Sequence, residues 1–228
     1  MVHRKLGDVL FRGQADFNWR LLPKIDRQEF EDYRRFHPNC TKRREHEERV
    51  LEQFQTLARP YINPQPKNRW EWLALAQHHG LATRLLDWTT NPLVALFFAV
   101  EERHCVTKSA VWLYFRGSIV SKLPDDPLDI KEPLVFFPPH LSPRISAQSG
   151  CFTVHPENHT SSLGNIESVI IPPDARSEMR RQLAGLGISQ ATLFPGLDGI
   201  AGDLNSQFSH RICGDEESVA EPFKMVVW

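Results

Sequence analysis

Cysteine is scarce in this chain, and its few copies do not form a metal or redox motif. No Cys-x-x-Cys pair occurs, whereas zinc sites use cysteine pairs at short spacing and disulfides belong to oxidising compartments. Adjacent histidines at 78 and 79 point to different faces of a helix or strand, so they do not make a chelating pair. We therefore expect no metal site, and we expect small core residues at Cys40, Cys105, Cys151 and Cys213.

Long apolar runs and an excess of charge of either sign are also missing. No run reaches the roughly 18 residues that a membrane helix needs, and residues 1–5 lack the apolar core of a signal peptide. The 27 basic and 28 acidic residues give a net charge of −1. This balance argues against a protein that coats nucleic acid by bulk charge, although it leaves a local basic groove open. We expect a cytoplasmic protein without a membrane segment.

The glycine-rich loops that most often hold nucleotides are absent as well. Neither Gly-x-Gly-x-x-Gly nor a Walker lysine loop occurs in the sequence. Helices are predicted mostly first, a run of strands follows, and two further helices come late. This order predicts an α+β fold, with a mixed or antiparallel sheet flanked by helices, because a doubly wound fold would alternate strictly. A chain of 228 residues can form this fold as a single domain, residues 1–228.

Two helices are predicted between the first and second core strands. Residues 41–59 repeat apolar side chains at helical spacing, and the charged half of this helix, 42–49, is interpreted as a solvent-exposed face. A second helix covers residues 69–79, and Gly80 is a natural stop because glycine tolerates the left-handed conformation. Together they form a helical insertion over about residues 41–80.

The segment that follows predicts a strand that runs directly into a buried helix. Residues 83–88 make the strand, Asn91 can cap the helix and Pro92 fits its first turn. Ala95 and Ala99 permit another element to approach the helix closely. Further strands are predicted at residues 109–115, 133–139, 148–155 and 166–173.

A short first strand, residues 9–11, ends in Arg-Gly-Gln at 12–14. A buried arginine requires an anionic partner, and a following glycine lets a ligand approach the backbone. Phe-Arg-Gly recurs at 115–117, where it closes a strand without comparable polar neighbours. Two interpretations stay open: the first arginine clamps an anionic ligand, or an internal salt bridge joins Arg12 or Arg84 to Asp87.

Four stretches of the sequence, in this order, resemble the FRG-domain family. They are "FRGQ" near the start, "HHGLATRLLDWTTNPLVALFFAV" in the middle, then "RISAQSGCFTVH" and "LFPGLDGIAGDL". The resemblance runs from residue 11 to residue 204, which is most of the chain. It implies one FRG-type domain.

The same stretches are similar, more weakly, to signatures of the ADP-ribosyltransferase superfamily. "FRGQ" is similar to a first strand ending in Arg-Gly, and "TRLLDWTTNPLVALFFA" to a strand that enters an Asn-Pro helix. Gln148 of "AQSGCFTV" stands for a third polar residue on a later strand. The resemblance implies an ADP-ribosyltransferase-like fold and NAD as the cofactor. It departs at Gln148, where the superfamily usually has glutamate, because glutamine can hydrogen-bond a ribose hydroxyl but carries no charge.

This resemblance implies a set of site residues. Arg12, Asp87 and Gln148 are the expected catalytic residues, with Asp87 the best candidate for the missing carboxylate and Asp198 the next. Trp88 is expected to offer a stacking surface, and Arg144 to contact phosphate or an acceptor. The expected NAD-binding residues are Arg12, Gly13, Gln14, His79, Thr83, Arg84, Trp88, Thr89 and Arg144.

Three functions stay open on the sequence. An NAD-dependent ADP-ribosyltransferase would modify a protein or nucleic acid, as a bacterial toxin or antiphage effector. A non-catalytic sensor module would bind a nucleotide or nucleic acid in the same pocket without breaking a bond. A metal-independent hydrolase or nuclease would use His79, Asp87 and Arg84. The transferase interpretation requires Arg12, Asp87 and Gln148 to line one cleft.

Overall fold

The computed structural model describes residues 9–27, 42–102, 106–116, 123–139, 142–157 and 163–214, with side chains up to residue 206. Cys151 is a free thiol with no exposed surface, as expected of a core cysteine. Cys40, Cys105 and the side chain of Cys213 lie outside the described part, as does Gly117 of the second Phe-Arg-Gly.

A six-stranded antiparallel sheet is the centre of the fold, in the order β4-β5-β2-β1-β3-β6. Helices pack against it, so the predicted α+β class is confirmed. The strands are β1 Val9–Gln14, β2 Leu85–Thr89, β3 Ser109–Phe115, β4 Leu134–Phe136, β5 Gly150–Val154 and β6 Ile166–Ile171.

Seven α-helices occur in the described part of the chain. They are α1 Arg43–Ala58, α2 Arg69–His78, α3 Pro92–Val100, α4 Pro143–Ala147, α5 Arg176–Gly185, α6 Gln190–Leu193 and α7 Leu197–Gly214. Short 3₁₀ turns occupy Lys24–Asp26, Arg59–Tyr61, Pro127–Asp129 and Pro173–Ala175. The first two helices lie between β1 and β2 in the chain. Across the described ranges, no helix combines the length and apolar character that crossing a bilayer would require.

Buried apolar clusters lie on both faces of the sheet, since neighbouring side chains on a strand point to opposite faces, whereas most of β6 is exposed. On one face, Leu85 of β2 packs in a cluster with residues of α1 and α2. Phe11 of β1 packs in a second cluster with residues of α3 and α5. Leu10 and Leu86, each one position away, belong to a third cluster with Trp88. The sheet is therefore a central layer that can position side chains from several strands rigidly.

The beginning of α3 follows the sequence signals. The Asn91 side chain accepts a hydrogen bond from the Leu93 backbone N–H at 2.9 Å, and Pro92 occupies the first turn. This cap satisfies one of the backbone donors that a helix start leaves free. The predicted strand-to-helix junction is confirmed, with the strand one or two residues later than the predicted 83–88.

Gly13 is the point at which α3 meets β1. A Cβ atom added to Gly13 would lie 1.9 Å from the Ala95 carbonyl oxygen and 2.6 Å from the Ala99 backbone nitrogen. Both contacts are to backbone atoms of the helix, which cannot move aside as a flexible side chain could. The glycine after Arg12 therefore permits close packing of the helix, and the small residues Ala95 and Ala99 do so from the other side.

The charged half of α1 is not entirely exposed, which corrects the interpretation of residues 42–49. Glu47 is only 8% exposed and accepts hydrogen bonds from Arg84 Nε at 2.7 Å and Arg84 Nη2 at 2.9 Å. Arg43 Nε also donates to Glu47 at 2.9 Å. Arg84 precedes β2 and is 1% exposed, so its charge is neutralised inside the protein by α1. Of the two internal salt bridges left open for Asp87, the one with Arg84 is therefore wrong, whereas the one with Arg12 is present, at 3.8 Å.

Candidate functional site

A large cleft opens where the two central strands separate. β1 and β2 are paired only at Phe11 and Thr89, whereas β1 pairs with β3, and β2 with β5, along their whole lengths. Beyond that position the side chains of Arg12 and Asp87 line a cavity of about 1630 Å³. Gln148, from the turn before β5, lines the same cavity. The three expected catalytic residues thus share one cleft.

Arg12 bridges the gap between the separated strands. Its Nη1 donates a hydrogen bond to the Asp87 backbone carbonyl at 2.8 Å and lies 3.8 Å from Asp87 Oδ2. Its Nε is buried and has no hydrogen-bond partner. Burial lowers the pKa of Arg12, and the negative charge of Asp87 opposes this effect. Arg12 therefore lines the cleft, contacts Asp87 and has a buried Nε donor without a partner.

Asp87 is the one exposed residue of an otherwise buried strand. Its side chain is 59% exposed, and Oδ2 accepts a hydrogen bond from Gln77 Nε2 at 2.9 Å. Thr83 Oγ1 in turn donates to Gln77 Oε1 at 2.7 Å, which fixes the direction of the glutamine amide. Because Thr83 is buried, its role is to position Gln77 and, through it, the Asp87 carboxylate.

Arg144, on α4, presents a positive charge to the cleft without a neutralising carboxylate. Its guanidinium carbon lies 4.3 Å from the centroid of the Phe194 ring, a cation–π contact. No carboxylate from the described ranges lies within ion-pair distance of it, and its Nε is buried without a partner. Burial lowers the pKa of Arg144, and the charges of Asp87 and Glu101 act in the opposite direction. A ligand anion could supply the missing partner.

Gln148 is part of a turn, which corrects the predicted strand 148–155. It ends α4, and the strand begins at Gly150. Its Nε2 donates to the Leu193 carbonyl at 3.1 Å, and its own carbonyl accepts from Thr89 Oγ1 at 2.7 Å. Ser149 follows with a positive φ of 47°, an uncommon conformation for a residue other than glycine. Gln148 thus joins β2, α4 and α6 at the edge of the cleft.

Comparison with known families finds a match for the first part of the chain. Residues 7–108 match the family model described as FRG domain. This part of the chain is similar to the FRG domain. The match covers just under half of the 228 residues and ends immediately before β3. Comparison with curated proteins and with solved structures gives no match.

The FRG-domain match contains only one side of the cleft. Arg12, Asp87 and the end of α2 lie within residues 7–108, whereas Arg144 and Gln148 come from the later part of the chain. Both parts contribute strands to the same sheet. The site is therefore completed by residues outside the matched segment.

Several predicted site residues have positions different from the expected ones. Arg84 lies away from the cleft, in the buried pair with Glu47, so neither NAD binding nor hydrolysis can use it there. Trp88 lines the cleft as expected, but it is only 3% exposed and its Nε1 donates to Thr153 Oγ1 at 2.9 Å, so little of its ring is open to stacking on a ligand. Asp198 is exposed at the start of α7 and does not line the cleft. Gly13, Gln14, His79 and Thr89 do line it.

Sequence reasoning did not select Gln77, His78 or Phe194 as site residues. Gln77 orients Asp87, and Phe194 supports Arg144. The only local signal was the polar end of α2, Gln-His-His, at the start of the long family motif. Among the described residues, no group of three or more His, Cys, Asp and Glu side chains could hold a metal ion.

His78 is a neutral imidazole at the wall of the cleft at pH 7. Burial, followed by the charges of Arg144 and His79, lowers the pKa of His78 to about 4, whereas Asp87 acts in the opposite direction. Its Nε2 lies 3.4 Å from Ser142 Oγ. A neutral His78 can take part in hydrogen bonds but adds no positive charge to the site.

We expect the free energy of unfolding to decrease as the pH is lowered from about 6.5 to about 4. In this range the unfolded chain binds a proton on His78 and the folded chain does not, so acid favours the unfolded state. His78→Gln should flatten this part of the pH dependence, and Arg144→Gln should raise the pKa of His78. Urea denaturation at a series of pH values and NMR titration of the imidazole measure both effects. A His78 that titrates at 6.5 or above contradicts the prediction.

Proposed function

We propose that this protein is an NAD-dependent ADP-ribosyltransferase that modifies a protein or nucleic acid. The observation that carries the proposal is the joint placement of Arg12, Arg144 and Asp87 in one cleft. Two cations with unused donors and an exposed carboxylate match a ligand that has a pyrophosphate and develops positive charge on a ribose. The arrangement of β1, β2 and α3 also agrees with the superfamily signatures in the sequence.

The donors of the cleft fit the anionic part of NAD. Arg12 and Arg144 each have a buried Nε without a hydrogen-bond partner. Phe194 braces the second guanidinium, so little conformational freedom is lost when it binds an anion. The volume of about 1630 Å³ exceeds the roughly 300–1,000 Å³ of ordinary small-molecule pockets. The cleft therefore has room for a dinucleotide together with part of an acceptor.

NAD supplies the ADP-ribosyl group: the bond between ribose C1′ and nicotinamide breaks, its electron pair leaves with nicotinamide, and the acceptor bonds to C1′ as its proton passes to water. The residues of the chain position NAD and stabilise the charge that develops on it. Arg12 and Arg144 hold the negative charges, and the carboxylate of Asp87 stabilises positive charge on the sugar. Gln77 and Thr83 keep that carboxylate in place.

Asp87 takes the role that the glutamate has in related transferases. Gln148 carries no charge, and its amide N–H is directed to the Leu193 carbonyl. Asp87 is exposed in the cleft and lies next to Arg12, which makes it the carboxylate best placed to act on the ribose.

If the acceptor is a macromolecule of a competing cell or a phage, the protein acts as a toxin or antiphage effector.

A second candidate function is a nucleotide sensor, and Gln148 is the observation that favours it. The same side chain lines the cleft and ties the turn before β5 to α6. A ligand that competes for the Gln148 amide would release this tie without any chemical step. The sensor uses the same anion-binding arginines and does not need Asp87 as a catalytic residue.

Incubation of the purified chain with radiolabelled NAD and cell lysate tests the proposal. Transfer of label to a macromolecule, together with release of nicotinamide, is the expected result, and protease and nuclease treatment of the product identifies the acceptor class. Saturable NAD binding without release favours the sensor. Absence of both binding and release contradicts both functions.

A further inference from the structure

An exposed tryptophan stands at the mouth of the cleft. Trp19 is 53% exposed and lines the cavity together with Asn18 and Arg20. Arg27, also exposed, lines it as well. The mouth thus combines a flat aromatic surface with two cations. Arg12 of β1 lines the same cavity.

The loop that carries Trp19 is held by contacts of Phe17 with β3 and with the segment before it, and by a turn organised by Asp16. The Phe17 ring stacks on Trp112 of β3, with centroids 5.6 Å apart and planes 9° from parallel. The Phe17 N–H donates to the Lys108 carbonyl at 2.8 Å. Asp16 then organises the turn, because its Oδ1 accepts from the Asn18 N–H at 2.8 Å and its carbonyl from the Trp19 N–H at 3.2 Å. The indole is therefore presented by a preorganised turn.

We propose that Trp19 is a nucleobase-stacking subsite, with Arg20 and Arg27 beside the phosphate attached to that base. Every nucleobase has a π-face, and an aromatic side chain next to cations is the usual way to hold a base and its phosphate. This proposal rests on the proposed function for the identity of the dinucleotide. The base comes either from the adenine of NAD or from a single-stranded nucleic-acid acceptor.

Position in the cleft separates Trp19 from other exposed aromatic residues. Single exposed apolar side chains are common on protein surfaces and need no function. Tyr61 is such a residue: it is 88% exposed, lies on the 3₁₀ turn after α1 and does not line the cleft. Trp19 differs because its surroundings supply both a cavity and cations. Tyr61 therefore provides the matched control.

Isothermal titration of the full chain with NAD and with a short single-stranded oligoadenylate tests the subsite. Trp19→Ala should weaken binding of at least one of these probes by about 5- to 150-fold. Trp19→Phe should retain most of the affinity because it keeps an aromatic face. Tyr61→Ala should bind both probes as the wild type does.

The two probes distinguish the source of the base and separate this proposal from the proposed function. A loss confined to NAD assigns the subsite to adenine, and a loss confined to the oligonucleotide assigns it to the acceptor. If NAD does not bind but Trp19→Ala weakens oligonucleotide binding, the transferase fails and the subsite stands. Unchanged affinities for both probes in Trp19→Ala, or a wild-type chain that binds neither, overturn the proposal.

Discussion

Replacing Asp87 by asparagine is expected to reduce nicotinamide release from NAD by about 100- to 1,000-fold, the usual cost of losing one charge-stabilising group in a transition state. Asparagine has nearly the same shape and can still accept the hydrogen bond from Gln77, but it has no negative charge. The hydrogen bond from Arg12 to the backbone carbonyl of residue 87 should survive the substitution, whereas the ion pair between Arg12 and the Asp87 carboxylate, at 3.8 Å, is lost.

The loss should be confined to the rate of the chemical step. Because the arginines that hold the anionic part of NAD are unchanged in Asp87→Asn, its affinity for NAD should stay within about threefold of the wild type. Asp174→Asn is the matched control, since Asp174 is exposed on the turn before α5 and lies outside the cleft. Nicotinamide release is measured by chromatography, and NAD affinity by calorimetry. A fully active Asp87→Asn protein would remove Asp87 from the mechanism.

Glu47→Ala should lower the free energy of unfolding by about 3–5 kcal/mol, the usual cost of leaving a buried charge without its partner. Arg84 is 1% exposed, and its Nε and Nη2 both donate to Glu47. Removal of the carboxylate therefore leaves a buried guanidinium without its charged partner. Arg43 loses a partner at the same time. Such a loss is a large part of the stability of a typical domain.

Urea denaturation at pH 7 measures this effect, with Glu52→Ala as the control on the same helix. Glu52 is exposed on α1, so its replacement should change the free energy of unfolding by no more than about 0.5 kcal/mol. Glu47→Gln keeps hydrogen-bond capacity but not charge, so its free energy of unfolding should lie between those of Glu47→Ala and Glu52→Ala. A Glu47→Ala protein as stable as Glu52→Ala would show that the buried pair does not support the junction of α1 and β2.

Local sequence signals predicted the elements whose causes are local. β3 has the predicted bounds, 109–115, and α3 begins at the predicted asparagine cap and proline. The strand predicted at 148–155 failed at its start, because Ser142 caps a short helix and Gln148 ends it. The Ser-Pro pair at 142–143 was a local signal for that helix and was not used.

Pairings between distant residues were not predictable from local patterns. A salt bridge between Arg84 and Asp87, three residues away, was one alternative on the sequence, but the partner of Arg84 is Glu47, which lies 37 residues away and was interpreted as exposed. For Arg12 the sequence left two partners open, an anionic ligand or Asp87. In the structure Arg12 contacts Asp87 and has a buried Nε without a partner. Phe194 became part of the site only through packing against Arg144, which no spacing rule indicates.

Titration of NAD into the wild-type chain and into Arg144→Gln tests most directly whether this cleft is a dinucleotide site. We expect saturable binding by the wild type and about 10- to 100-fold weaker binding by Arg144→Gln, because a charge-assisted hydrogen bond to phosphate is lost. Arg181→Gln, which removes an exposed arginine of α5 outside the cleft, should bind as the wild type does. Equal affinities of Arg144→Gln and the wild type, or no binding by either, would contradict the assignment.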